Sequence, residues 1–132
     1  MKRKFILLVG MLLAGLSVME AKTMQRNVVY KDAHVRFTVV SDGVVRMEYS
    51  PAGCFVDDKS FVVVNRAYPQ VDYQLKTKGR WVEIITSKMK LRYLKDSGCF
   101  TEKNLTVSSR GNLVPFVWHP GMRQSGNLKG TY

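Results

Sequence analysis

The sequence predicts an all-β fold: an antiparallel β-sandwich preceded by a signal peptide. Three observations carry this. After residue 21, apolar and polar residues alternate at period two, with almost no helical periodicity. Turn residues interrupt that alternation roughly every 8 to 12 positions, the spacing of a sandwich or barrel. The chain also opens with the basic Met1-Lys2-Arg3-Lys4, followed by the apolar run Phe5 to Val18, FILLVGMLLAGLSV. That pairing of flank and run is the pattern of a secretory signal.

The run is shorter than the roughly 20 residues a membrane-spanning helix needs. Cleavage after Ala21 is expected, although Met19 sits where a small residue is preferred. An N-terminal membrane anchor or a buried helix is the competing reading. The domains expected are therefore a signal peptide over 1–21, a sandwich over 22–118, and a loop over 119–132.

The first hairpin is the clearest. Val35, Phe37 and Val39 alternate with Arg36 and Thr38, and Val45, Met47 and Tyr49 alternate with Arg46 and Glu48. Asp42-Gly43 joins the two runs, a strong short-range hairpin signal. The odd-numbered residues are expected in the core, and Arg36, Arg46 and Glu48 in water. Pro51-Ala52-Gly53 ends the hairpin. Phe61-Val62-Val63-Val64 is apolar at both parities and predicts a buried central strand. Val71 to Lys76 alternates again, and Lys78-Gly79 is a turn. Trp81 to Thr86 and Met89 to Leu94 predict a second hairpin across Ser87-Lys88. Leu105-Thr106-Val107 is a short strand. Val114 to Trp118 contains Pro115, which cannot donate to a ladder, so it predicts an edge.

With 132 residues and 45% hydrophobic content, the chain can form one modest core. The formal net charge is +11. Removing residues 1–21 takes away three cations and one acid, leaving about +9. The Lys and Arg residues are scattered, with no long basic run and no nucleic-acid motif, so a solvated basic surface is expected and a nucleic-acid partner is not.

The residues available for chemistry are few. His34 and His119 are the only histidines, and no His/Cys/Asp/Glu spacing of a metal site appears. No catalytic, cofactor-binding or metal-ligating residue is assigned. Asp57-Asp58 is the only adjacent acid pair. Neighbouring side chains on an extended chain point apart, so these two cannot flank one glycosidic bond. A solvated turn is expected there. Cys54 and Cys99 are candidates for a disulfide in an oxidising compartment, worth roughly 4 kcal/mol, or for two separate thiols. Asn104-Leu105-Thr106 fits a glycosylation sequon. Of the aromatics, Tyr30, Tyr49, Tyr73, Trp81 and Tyr93 are expected to pack inward. Tyr68 and Trp118 are the candidates for facing carbohydrate.

Two stretches carry a likeness. Val35 to Ser50 (VRFTVVSDGVVRMEYS), followed by Ser60-Phe61-Val62-Val63-Val64-Asn65-Arg66, resembles the opening of the N-terminal domain of family 31 glycoside hydrolases. Trp118-His119-Pro120-Gly121, followed by Asn127-Leu128-Lys129-Gly130-Thr131-Tyr132, is similar to that family's "W.PG…NLgGTyR.LD" stretch, with Lys129 where glycine is commoner. The likeness covers about residues 27 to 132. It implies a galactose-mutarotase-like sandwich supporting a (β/α)₈ catalytic barrel in an exported α-glycosidase, with carbohydrate as substrate. The family's catalytic aspartates lie on the barrel, so none maps onto this chain. A stand-alone carbohydrate-binding module is the alternative. The location expected is periplasmic or extracellular, with no cofactor and no stable membrane insertion after cleavage.

Overall fold

The structure, a computed structural model, describes residues 27–58, 60, 61, 64, 66–111 and 114–123. The expected signal peptide and the stretch from 124 to 132 lie outside them. The described residues form eight strands in two antiparallel sheets and no helix. The first sheet has the order β1 (Val28–Lys31), β2 (Val35–Ser41), β3 (Val44–Tyr49). The second has the order β4 (Gln74–Lys78), β5 (Trp81–Ile85), β6 (Met89–Leu94), β7 (Leu105–Ser109), β8 (Val117–Trp118). Each strand pairs with its sequence neighbour, so both sheets are meanders.

The β2–β3 hairpin turns at Asp42-Gly43, with Phe37 opposite Met47 and Val35 opposite Tyr49. Neither Asp42 nor Gly43 takes a left-handed φ. A register shift between Val39 and Ser41 accommodates the reversal instead. At β4–β5, Gly79 does adopt φ 59° in a two-residue turn that a Cβ would strain. At β5–β6, the Thr86 N–H donates to the Met89 carbonyl at 2.9 Å, and the Thr86 hydroxyl accepts the Met89 N–H at 3.1 Å. That double bond pattern sets the Ser87-Lys88 turn.

The two sheets meet through one apolar cluster. Val35, Phe37 and Val39 of β2 join Val82 and Ile84 of β5, Met89, Leu91 and Tyr93 of β6, and Leu105 and Val107 of β7. The Phe37 and Tyr93 rings touch edge-on at 5.2 Å, linking one sheet to the other. Phe100, from the β6–β7 connection, stacks on Phe37 at 5.8 Å. β1 was not among the expected strands. A register shift between Val28 and Tyr30 lets both Val29 and Tyr30 reach the core.

Four expectations are corrected. Arg36 is only 5% exposed, not solvated, because the chain after β3 folds back over the outer face of the first sheet. Tyr49, expected in the core, sits at the end of β3 and is exposed. Phe61 and Val64 belong to no strand and are exposed, so no buried central strand runs through them; Val62 and Val63 lie outside the described residues. Strand β4 begins at Gln74 rather than Val71, and all five of its residues are exposed. A three-stranded sheet cannot cover a five-stranded one. Leu75 lies opposite the buried Ile84 on the core-facing side, yet remains 46% exposed.

Candidate functional site

Arg36 is a buried cation on the outer face of the first sheet. Turn Pro51-Ala52-Gly53 sends the chain back across β2, with Gly53 at φ 69°. A Cβ on Gly53 would lie 2.7 Å from the Ala33 carbonyl oxygen. This return places Phe55 and Asp57 over Arg36. The guanidinium grips Glu48 through two hydrogen bonds of 2.7 and 2.9 Å, and pairs with Asp57 at 2.7 Å. Arg46 closes on Glu48 at 2.6 Å. The Phe55 ring lies 4.9 Å from the Arg36 guanidinium carbon and 5.3 Å from the Lys31 ammonium. The hydrogen bond from Arg36 to Glu48 raises the arginine pKa further above its ordinary value.

In this chain of alternating charges, Glu48 has two cations and Asp57 has one. The cluster is a clasp that fixes the returning segment to the sheet. Asp57 is therefore half of an ion pair while remaining, with Asp58, exposed to solvent as expected.

A second cluster lies at one end of the molecule. The Asp42-Gly43 turn is tied to the β5–β6 turn. The Thr86 hydroxyl donates to the Asp42 carbonyl, and the Ser87 hydroxyl donates to the Asp42 carboxylate at 3.1 Å. Lys88 pairs with the same carboxylate at 3.1 Å. Lys88 and Ser87 together hold the Asp42 pKa below the usual carboxylate range, the lysine contributing more. Arg110 locks the corner by donating to the Thr86 carbonyl at 2.9 Å. Beside this tied corner opens a cleft of about 350 Å³ lined by Asp72, Tyr73, Gln74, Ile85, Thr86, Ser87 and Arg110. Across Tyr73 lies another hollow of about 260 Å³, against Asn27, Val29, Val39, Gln70 and Val71. Asn27 anchors that side by donating to the Val39 and Pro69 carbonyls at 3.0 and 2.7 Å.

The cleft presents an exposed phenol, one carboxylate, one amide and a guanidinium. This set can hold a polar ring by stacking and hydrogen bonding. With Asp72 as its single acid, it lacks the carboxylate pair that glycosidic hydrolysis needs.

The two aromatics singled out for carbohydrate are not brought together. Trp118 lies opposite Val107 on the core-facing side of β8 and packs against the cluster. Tyr68 is half-buried in the segment leading to β4. Strands β4 and β8 are opposite edges of the sheet, roughly 19 Å apart at ordinary strand spacing. Trp81, expected inside, faces outward: Val82 and Ile84 hold the buried parity of β5. Its indole is covered by the Arg92 guanidinium at 3.9 Å. The signal for this was present, since Trp81 shares parity with the charged Glu83. Tyr73, Asp72 and Arg110 carried no such signal, because three separate segments converge to form the cleft.

Cys54 and Cys99 are both exposed free thiols. Asn104 of the sequon is 4% exposed. Its side chain accepts the Thr101 N–H at 2.7 Å and donates to the Cys99 carbonyl at 2.8 Å. It organises the β6–β7 loop and is closed to a glycosyl donor. His34 and His119 contact the carbonyls of Ser50 and Pro120. Among the described residues, no three His, Cys, Asp or Glu side chains gather as a metal site. No helix among them is long and apolar enough to cross a membrane. No protein-family model matches the chain, and a search of curated proteins finds no relative.

Proposed function

We propose that this chain is the non-catalytic N-terminal β-sandwich of an exported family 31 α-glycosidase, galactose-mutarotase-like in type. In this reading it supports a catalytic barrel in the same polypeptide and has no hydrolytic activity by itself. The support comes from the segment that resembles the family's "sFaVvNR". Phe61 in that segment is fully exposed, and Val64 is largely so. Arg66, at its end, has Nε and Nη1 buried without a hydrogen-bond partner. A solvated phenylalanine and an unsatisfied buried guanidinium in one short segment are both costly. A packed neighbouring domain that covers Phe61 and Val64 would remove the first of these costs. Val114 and Phe116 present further exposed apolar side chains.

The test is the solution behaviour of the purified chain. It is expected to self-associate and bind a hydrophobic dye, and Phe61→Ser is expected to reduce both. A clean monomer that leaves the dye dark would count against a missing neighbour. The alternative, a stand-alone carbohydrate-binding module, draws on the cleft at Tyr73. Calorimetric binding of oligosaccharide by the isolated chain, lost in Tyr73→Ala, would favour it.

A further inference from the structure

We infer that the outer face of the five-stranded sheet is a binding surface for an anionic polysaccharide, one bearing carboxylate or sulfate groups. The inference rests on expected export but not on the glycosidase reading, and either can fail alone. Antiparallel pairing puts directly opposed residues on one face. The registers therefore place Lys76, Glu83, Arg92 and Thr106 in one outward row, with Lys78, Trp81 and Leu94 in the next. Lys90 stands outward opposite Ile85.

The face thus carries four cations, Lys76, Lys78, Lys90 and Arg92, and one acid, Glu83. Lys90 pairs with Glu83 at 2.7 Å. The carboxylate is held below its usual pKa range chiefly by that contact, with Arg92 and Lys76 adding to it. The single acid is thereby spent on Lys90. Lys76 and Lys78 have no ion-pair partner among the described residues. They point the same way roughly 7 Å apart along β4. The surface is a cationic strip with surplus charge, which polyanions seek through counterion release.

The aromatic content decides which polyanion. Single-stranded nucleic acid is held on open rings that stack successive bases. Here the one ring of the strip, Trp81, is already capped by Arg92 at 3.9 Å. Duplex nucleic acid is read by a helix or ribbon that enters a groove, and this face is the side of a sheet. A polymer that needs only spaced anions along the sheet surface fits better, and the expected export would bring this face to polysaccharide.

The experiment measures binding of the purified chain to heparin and to polygalacturonate at about 50 mM salt and above, with an oligo-dT strand in parallel. The parent is expected to bind at least one polysaccharide, weakening steeply with salt. The Lys76→Gln/Lys78→Gln/Arg92→Gln variant is expected to bind at least about tenfold more weakly. Its salt slope should fall by roughly 2, somewhat under one unit per cation removed. Lys31→Gln, on the other sheet, should stay within about twofold of the parent. Should the triple variant fold poorly, Lys76→Gln/Lys78→Gln on the fully exposed β4 gives the same reading. No polysaccharide binding at low salt would overturn the inference, as would cation-depleted variants that bind like the parent. Oligo-dT binding as tight as the polysaccharide and lost in the same variants would overturn it in favour of nucleic acid.

Discussion

The joint between the sheets can be tested through Phe37 and Tyr93. Phe37 is fully buried, with its ring 5.2 Å from Tyr93, 5.8 Å from Phe100 and 5.9 Å from Tyr30. Aromatic pairs at such separations contribute about 0.5–1.5 kcal/mol each beyond buried area. Phe37→Leu keeps an apolar side chain but removes all three ring contacts, so a loss of about 2–4 kcal/mol is expected. Tyr93→Leu severs the same cross-sheet contact from the other side. A domain of this size has about 5–15 kcal/mol in total, so each single variant should still fold. Urea unfolding of both singles and the double isolates the direct pair. The coupling expected is about 1 kcal/mol. Single costs that add to within about 0.3 kcal/mol would mean the rings do not meet and the sheets do not face each other through this cluster.

Three further outcomes follow from local geometry. Arg36→Met leaves Asp57 unpaired and weakens the hold on Glu48, and should cost about 3 kcal/mol; Asp57→Asn, at the exposed end of the same clasp, should cost under about 1 kcal/mol, both read from urea midpoints. Gly53→Ala places a methyl against the Ala33 carbonyl at φ 69° and should cost about 1–3 kcal/mol, whereas a neutral melt would mean the return over β2 is not as described. Burial, aided by the hydrogen bond to Asp32, raises the Tyr30 pKa, and burial raises that of Tyr93. The folded state then holds these protons more tightly than the unfolded chain. Their stabilisation is complete below about pH 10 and is lost as pH rises beyond it. Tyr30→Phe should flatten that alkaline decline in a urea-midpoint profile.

The strands were legible wherever one parity was apolar and the other charged. Val35-Phe37-Val39 against Arg36, and Met89-Leu91-Tyr93 against Lys90 and Arg92, gave both hairpins. Reading failed where parity does not report burial. Arg36 has the outward parity but is covered by a distant segment, so its burial depends on the path taken after Gly53. Phe61 and Val64 look like a core strand, yet nothing among the described residues covers them. Their composition reports a need for burial, not a place where it is met. Trp81 was misassigned by size, although Glu83 marked its face. Trp118 was misassigned by position, since an edge strand can still point one side inward. The cleft at Tyr73 was invisible because it forms from three segments, none with a motif of its own.

The central proposal, a supporting domain of a larger exported glycosidase, is tested most directly by the size of the native product. An antibody raised against this chain, used on its own cells and their surroundings, should detect a species several times larger than 15.1 kDa. A single band at or just below that mass would contradict the proposal.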